Sequence, residues 1–441
     1  MNTPIADFVK KYIEGKTARF HMPGHKGKPF IGIEQYDITE IGGADDLGSA
    51  EGIIKESENN ASVLFESGHT YYTTQGSTTA ICAMLNLVNG ENPLILAVRN
   101  VHKAFLHACA FLDYEVAWIL PEESFSILDC KISPQLVEKG ILGTNRKPSA
   151  VYLTSPDYLG NIQDISGIAS VCKKYDVPLL VDNAHGAYLG FLENPLHPIS
   201  LGACACCDSA HKTLPVLTGG AYLHIAKDAP EKFFEKARTS LNLFSSTSPS
   251  YLTLQSLDLC NAYLAGDYKS ELWACIKKVR NLKAFIKKCG FSVLGTEELK
   301  ITVETGLCGY RGDEVANVMR EYFAEPEYCD ADYVVLMLTP QNDDEDFEKI
   351  KKVFSSLSPR EKKKRKNIRI TLPEMKLSIR EAVFSQTEIV DVNECEGRIC
   401  ALPAVSCPPA IPIAISGEVI NSEIKAVFKF YGIEKILVVK S

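Results

Sequence analysis

A lysine and an aspartate in this sequence have the types and spacing of residues that hold pyridoxal phosphate in enzymes. Lys212 lies in the small-residue turn DSAHKT, thirty positions after Asp182, which ends the apolar run PLLVD. A lysine amine can form an imine with an aldehyde cofactor, and a carboxylate can keep a pyridine nitrogen protonated. The pair therefore predicts this cofactor, although most lysines are solvated and a strand-terminal aspartate often only caps a helix.

Further candidate residues lie in turns and could hold the rest of the cofactor. Backbone NH groups and hydroxyls at a helix N terminus form a phosphate site, although an ordinary N-cap is the commoner role of an isolated GST turn. The candidates for the phosphate are Gly76, Ser77, Thr78, Ser209 and His211. His102 lies at a strand-to-helix junction, where an imidazole can lie flat against a planar cofactor or act as a cap.

Composition excludes several other classes of protein. The formal net charge of −8 argues against a nucleic-acid partner, because such proteins need a basic face. The basic run at 360–366 is interpreted as a solvated loop between elements. The N terminus does not have the pattern of a signal peptide, and the longest apolar stretch, 401–416, contains four prolines, so we expect no membrane association.

The fifteen cysteines are odd in number and scattered, which indicates free thiols in a reducing compartment, so a cytoplasmic enzyme is expected. Cys204, Cys206 and Cys207 form the densest cluster. Because no second cluster or histidine pair at zinc spacing accompanies them, we interpret the segment as a packed strand and predict no metal site.

Hydrophobic periodicity predicts an α/β protein. Near-continuous apolar runs that alternate with helical patterns indicate a mostly parallel sheet covered on both faces. Strands are predicted at 92–98, 114–120, 149–154, 177–182 and 221–226, and helices at 4–14, 78–88, 101–112 and 165–175. After a long helix at 270–289, short strands at 291–295, 300–305, 333–338 and 367–372 interleave with helices at 313–323 and 344–357, as in a smaller α+β domain. We expect an N-terminal arm over 1–60, a large domain over 61–284 and a C-terminal domain over 285–441.

With these residues assembled, the chain resembles the Orn/Lys/Arg decarboxylase family of fold-type I pyridoxal-phosphate enzymes. Seven motifs occur in the family's order: FHMPGHKG, DDLGSAEG, QGST, RNVHKAF, TSPDYLGNIQDI, VDNAHGAYLGF and SAHKTLPVLTG. The C-terminal segments REAVF, EGRICALPA and CPPAIPIAISGEVI are also similar to its closing motifs. The resemblance implies decarboxylation of arginine, lysine or ornithine to agmatine, cadaverine or putrescine.

The resemblance also implies roles for individual residues. Lys212 would bind the cofactor covalently, Asp182 would pair with the pyridinium nitrogen, and His102 would stack on the ring. The phosphate would be held by Ser77, Thr78, Ser209 and His211. His185 would lie near the cofactor and His25 near the substrate. A carboxylate must bind the distal end of a basic substrate, and the candidates are Asp45, Asp46, Glu51 and Glu418.

Three positions depart from the family's pattern and concern the substrate pocket: Gly219 replaces a common glutamine, Ala410 a glycine and Ser416 a proline. The chain resembles the short form that lacks the additional N-terminal domain, and a homodimer is expected. Two alternatives stay open. An aminotransferase or another fold-type I lyase would use the same cofactor residues, with Arg380 or Arg398 available for a substrate carboxylate, and a non-catalytic paralogue would only bind the cofactor.

Overall fold

Helices and strands alternate along most of the chain. The computed structural model describes residues 1–91, 93–122, 124, 126–358, 360, 361, 372–405 and 410–440. The strands in these residues are β1 (His69–Thr73), β2 (Leu94–Val98), β3 (Glu115–Ile119), β4 (Ala150–Thr154), β5 (Leu179–Asp182), β6 (Ala205–Asp208), β7 (Ala221–Ile225), β8 (Ser292–Leu294), β9 (Lys300–Glu304), β10 (Tyr328–Cys329), β11 (Tyr333–Met337), β12 (Thr387–Asp391), β13 (Ala404–Val405), β14 (Pro412–Ala414) and β15 (Lys435–Val439).

The helices of the described residues are α1 (Pro4–Glu14), α2 (Ile53–Leu64), α3 (Gly76–Leu87), α4 (Lys103–Leu112), α5 (Pro134–Gly143), α6 (Ile165–Lys174), α7 (Ala210–Thr213), α8 (Glu231–Phe244), α9 (Tyr251–Ala265), α10 (Tyr268–Lys288), α11 (Gly312–Glu321), α12 (Asp344–Ser356), α13 (Ile379–Phe384) and α14 (Ser422–Phe430). Each helix and strand predicted from periodicity is present, apart from the strand at 367–372, of which 367–371 lies outside the described residues. Within the described ranges, no helix is both long and apolar enough to cross a membrane.

The chain divides into two compact units, and the first comprises Met1–Val88 and Pro178–Glu271. Its strands lie in the order β1-β7-β6-β5. The short strands β5 and β6 are parallel, with Asp182 opposite Cys207, whereas β7 runs antiparallel to both β6 and β1. All four strands are buried, which accounts for the apolar runs of β5 and β7.

The N-terminal helix α1 belongs to this first unit and packs on α2 and α9. Its amphipathic pattern turns Ile5 and Val9 into the core. The first backbone NH groups of α1 have no partner within the helix, and the buried carboxylate of Asp258 accepts two of them, from Ile5 at 2.9 Å and Ala6 at 3.0 Å. The start of the chain is thereby fixed to α9.

The second unit comprises Asn89–Val177 and Leu272–Ser441. Three of its strands lie in the order β4-β2-β3, and both pairs are parallel. A separate antiparallel sheet has the order β10-β11-β9-β8, with α11 between β9 and β10 in sequence and α12 after β11, as predicted for an α+β region. The parallel pairs of both units confirm the predicted α/β class. The cysteines of the described residues are free thiols, as expected.

Candidate active site

Lys212 and His185 meet at the carboxyl ends of two parallel strands. His185 follows β5 by three residues, and Lys212 lies on the single turn of α7 directly after β6. Because β5 and β6 are neighbours, their following turns lie side by side, and Lys212 Nζ is 3.0 Å from His185 Nε2. Ligand sites of α/β sheets lie outside the carboxyl ends of the strands, which is where this pair is found.

Asp182 ends β5 and is almost completely buried, with 2% of its surface exposed. Its Oδ1 accepts a hydrogen bond from the Ala184 NH at 3.1 Å and contacts the Cys207 thiol at 3.7 Å. Burial, followed by the negative charge of Asp182, raises the pKa of the Cys207 thiol well above its usual value. Cys207 is therefore a neutral thiol that donates to the carboxylate.

The QGST turn is joined to the lysine turn by two hydrogen bonds. Ser209 Oγ lies 2.8 Å from Ser77 Oγ, and the Gly76 NH donates to the Gly219 carbonyl at 2.7 Å. Gly219 has a φ of +97°, and a Cβ there would lie 2.6 Å from the Thr74 carbonyl oxygen. The close approach of these two backbones therefore explains the glycine at a position where the family commonly has glutamine.

The hydroxyl pair lies at the first turn of α3, a helix of 12 residues that begins at Gly76. Gly76 has a φ of +74°, and no atom would lie within 4 Å of a Cβ placed on it, so the space above the turn is open. The start of a helix, two hydroxyls and open space match what a phosphate group needs. Together with the Lys212 amine and the buried Asp182 carboxylate, the residues of the first unit fit pyridoxal phosphate.

The two other residues predicted to bind phosphate, Thr78 and His211, are not part of this hydroxyl pair. Thr78 is on α3 with an exposed side chain. His211 is half-buried, and its Nδ1 lies 2.9 Å from the Gly220 carbonyl, to which it donates. Burial lowers the pKa of His211, although the hydrogen bond to Gly220 opposes this effect. A neutral His211 with its NH committed to a carbonyl has only a lone pair on Nε2, so a role in phosphate binding stays a prediction for both residues.

His102 belongs to the second unit and caps α4. Its Nδ1 accepts a hydrogen bond from the Ala104 NH at 3.1 Å, so the neutral ring carries its proton on Nε2. The cap fixes the position of the ring relative to α4. Stacking of His102 on the cofactor stays a prediction.

Three candidate substrate residues of the N-terminal region have their hydrogen-bond partners within that region. Asp45 accepts NH groups from Asp46, Glu51, Gly52 and Ile54, which ties the DDLGSAEG loop to the start of α2. Asp46 accepts the NH groups of Gly48 and Ser49 and the Ser49 hydroxyl. His25 Nε2 lies 3.2 Å from Asp37 Oδ2. These contacts organise the arm, and a contact with substrate stays a prediction for each of the three.

Of the two other candidates, Glu51 is exposed, whereas Glu418 is in the second unit and is only 1% exposed. Its Oε2 accepts from Arg99 Nη2 at 2.8 Å and from the Ile415 NH at 2.8 Å. Arg99 is also buried and lies over the Trp118 ring, with Cζ 5.2 Å from its centroid. The ion pair gives Glu418 a structural role.

We expect the Glu418→Gln variant to lose about 3 kcal/mol of stability, because it leaves the Arg99 guanidinium buried without its counter-charge. Urea unfolding of the variant, with the exposed Glu434→Gln as control, measures this loss. A higher KM for substrate with unchanged stability would contradict the structural role and favour substrate binding.

The two remaining departures from the family's pattern lie in the second unit near this ion pair in sequence. Ala410 has a φ of +59°, a left-handed conformation that glycine adopts at less cost, and its carbonyl accepts the Lys103 NH at 3.0 Å. Ser416 is fully buried, and its hydroxyl has no hydrogen-bond partner in the described part of the chain. The usual glycine at 410 is thus explained by backbone geometry, whereas nothing in the structure explains a serine at 416.

Some residues of the site carry no signal in the sequence. Cys207 contacts Asp182 only because β5 and β6 pair in one particular register. The bond from Gly76 to Gly219 joins residues 143 positions apart. The alternation of side chains along β6 could have indicated that Cys207 and Asp182 face one another, had the strand pairing been known.

A buried aspartate, a lysine turn and a hydroxyl-lined helix start on an α/β sheet define the class of fold-type I pyridoxal-phosphate enzymes. Comparison with known proteins identifies the family within this class. The model of the Orn/Lys/Arg decarboxylase major domain matches residues 3–300, and that of the C-terminal domain of the same family matches residues 362–435. The chain belongs to the Orn/Lys/Arg decarboxylase family and is an amino-acid decarboxylase.

Individual relatives agree with this assignment. Arginine decarboxylase of Bacillus subtilis is 28% identical over 97% of this chain and 93% of its own length. Arginine decarboxylase of Bacillus anthracis is 29% identical over 96% of this chain and 91% of its own length. The solved constitutive lysine decarboxylase of Escherichia coli superposes with a TM-score of 0.80 at 16% identity, over 100% of this chain and 82% of that one. At this low identity the structural likeness establishes the fold alone.

Proposed function

We propose that this protein decarboxylates L-arginine to agmatine and CO2 with pyridoxal phosphate as cofactor. The family assignment supports a basic amino acid as substrate. The choice of arginine is supported by relatives that match over more than nine tenths of both chains and are named arginine decarboxylase. Relatives named lysine decarboxylase match only about 40% of their own length.

The observation that carries the cofactor proposal is the set of contacts within the first unit. Lys212 Nζ lies 3.0 Å from His185 Nε2, and Ser209 Oγ lies 2.8 Å from Ser77 Oγ. Asp182 is buried on the strand that precedes His185. An amine, a hydroxyl pair for phosphate and a buried carboxylate for a protonated ring nitrogen are the three groups that this cofactor requires.

When bound, pyridoxal phosphate supplies a ring that accepts the electron pair left as CO2 departs from Cα. Asp182 supplies a carboxylate in a buried environment, where its interaction with a protonated ring nitrogen would be stronger than in water. Lys212 Nζ is the attachment atom, and the hydrogen bond with His185 orients it. Ser77 and Ser209 would bind the phosphate at the start of α3.

An aminotransferase would need an arginine to bind the substrate carboxylate, and the two candidate arginines are engaged elsewhere. Arg380 donates to the carbonyls of Ala110 and Phe111 at 3.0 and 3.2 Å. Arg398 donates to the Val439 carbonyl at 3.0 Å and forms an ion pair with Glu388. Both guanidinium groups thus have structural partners within the second unit. The presence of Lys212, Asp182, Ser77 and Ser209 in the first unit likewise argues against a non-catalytic paralogue.

The resemblance to fold-type I enzymes, whose sites are built at a dimer interface, supports a homodimer as the working assembly. We likewise propose that the chain consists of an arm over 1–60, a large domain over 61–284 and a C-terminal domain over 285–441.

The test is CO2 release from purified protein given each of L-arginine, L-lysine and L-ornithine in turn, with product analysis by mass spectrometry. We expect agmatine from arginine at a rate that exceeds those of the other two amines. Faster release from lysine or ornithine would overturn the choice of substrate. A keto-acid product without CO2 would overturn decarboxylation itself.

A further inference from the structure

A second group of chemically active side chains lies in the first unit, outside the residues assigned to the cofactor. His197, Asp208 and His224 are fully buried and place one ligand atom each within 4.8 Å of the others. Asp208 Oδ2 lies 3.0 Å from His197 Nε2 and 3.2 Å from His224 Nε2. These separations are close to those between neighbouring ligands of one tetrahedral metal ion.

Strand pairing adds a fourth possible ligand to this cluster. Side chains alternate along β6, so Cys206 and Asp208 share the face opposite to Cys207. In the register of β6 with β7, Cys206 lies directly opposite His224. The Cys206 Sγ is 3.9 Å from His197 Nε2, so the thiol adjoins the cluster on the His197 side, although only the other three ligand atoms all lie within 4.8 Å of one another.

The surroundings of the cluster resemble those of a metal site. His224 Nδ1 lies 2.8 Å from Thr70 Oγ1, and Asp208 Oδ1 accepts from Asn183 Nδ2 at 2.6 Å, so outer partners fix two of the ligands. The Phe65 ring packs against both imidazoles, at centroid distances of 4.5 Å to His224 and 5.4 Å to His197. Apolar walls exclude water, as in closed structural sites.

We propose that His197, Asp208, His224 and Cys206 bind one Zn²⁺ ion as a closed structural site. Two imidazoles, a carboxylate and a thiolate are a ligand set that Zn²⁺ accepts in tetrahedral geometry. Two anionic ligands also balance the charge of a divalent ion, which suits a site without access to water. The ion would join β6, β7 and the turn at His197, and so hold the strand that leads into Ser209 and Lys212.

The competing explanation is a hydrogen-bond network without metal. In that case both Nε2 atoms donate to the single oxygen Asp208 Oδ2, and the Cys206 thiol is a weak partner of His197 Nε2 at 3.9 Å. The buried His197 Nδ1 has no hydrogen-bond partner among the described residues, and because it is not a ligand atom this holds for both explanations. Metal content distinguishes the two explanations directly.

The experiment measures zinc in the full-length protein with its cofactor, purified without a histidine tag from zinc-supplemented medium. We expect one zinc per chain that survives dialysis, and a weaker site in Cys206→Ser, with zinc affinity reduced at least about tenfold. Cys207→Ser is the matched control, because it changes the neighbouring thiol on the other face of the same strand, and it should keep its zinc. The absence of bound zinc in wild-type protein, or full retention in Cys206→Ser, would overturn the proposal.

Cobalt substitution of the wild-type protein supplies a measurement that does not depend on whether a variant folds. Co²⁺ exchanged into the site should show the intense visible bands of a tetrahedral ion and a thiolate charge-transfer band. A weak octahedral spectrum, or no uptake of Co²⁺, would also overturn the proposal. These readouts concern metal binding alone, so they are independent of whether arginine is the substrate.

Discussion

The Lys212→Ala variant should lose decarboxylase activity by at least about a thousandfold, the scale of removing the group that attaches the cofactor. It should also lose the visible absorbance of a cofactor bonded to lysine. The physical reason is that the described geometry places Lys212 Nζ, held by His185 at 3.0 Å, beside the hydroxyl-lined turn of Ser77 and Ser209. CO2 release and absorbance spectroscopy measure the two effects.

A matched control is Lys227→Ala, which removes an exposed lysine of the same unit that follows β7. This variant should keep its activity and its spectrum, since a solvated lysine contributes little to either. If Lys212→Ala retained more than about a tenth of the wild-type rate, Lys212 would not be the attachment point of the cofactor.

The second large effect is expected for Asp182→Asn, which removes the charge and preserves the shape of the side chain. Turnover at saturating cofactor should fall by about a hundred- to a thousandfold, because the ring nitrogen loses the buried anion that keeps it protonated. The asparagine Oδ1 can still accept the Ala184 NH, so the local turn should be maintained. Steady-state kinetics, together with a cofactor titration, separate turnover from cofactor affinity.

Asp164→Asn is the matched control for the commoner role of such an aspartate. Asp164 caps α6 by accepting the Gly167 NH at 2.9 Å, and asparagine is as good an N-cap as aspartate. The control should therefore have near-normal turnover. If Asp182→Asn also had near-normal turnover, the charge of Asp182 would not matter for catalysis. Its role would then be only to cap the turn that follows β5.

The fold could be predicted where side-chain pattern and burial coincide. The runs at 92–98 and 177–182 are apolar because β2 and β5 are buried, so periodicity indicated both. The strand β1 was not predicted, since HTYYT is polar in composition although all five residues are buried. Its polar groups are paired inside the protein, for example Thr70 Oγ1 with His224 Nδ1, and such tertiary pairing leaves no pattern in the sequence.

The candidate site could be predicted in its residue types but not in its contacts. Lys212, Asp182 and the QGST turn were indicated by type and position alone, whereas the bond of Lys212 with His185 required the order of the strands. Glu418 illustrates the opposite case. It lies in a motif-like segment that suggested a substrate carboxylate, yet its partner is Arg99, 319 positions away in the sequence. Long-range ion pairs of this kind cannot be recognised from local sequence.

The four residues of β6 face two chemically different environments. On one face Cys207 contacts the aspartate assigned to the cofactor, and on the other Cys206 and Asp208 adjoin two buried histidines. A strand this short cannot shift to relieve a substitution on one side without moving side chains on the other. Substitutions in β6 are therefore constrained by contacts on both faces. A substitution in the histidine cluster that moves Asp208 would also shift Lys212, four residues further along the chain.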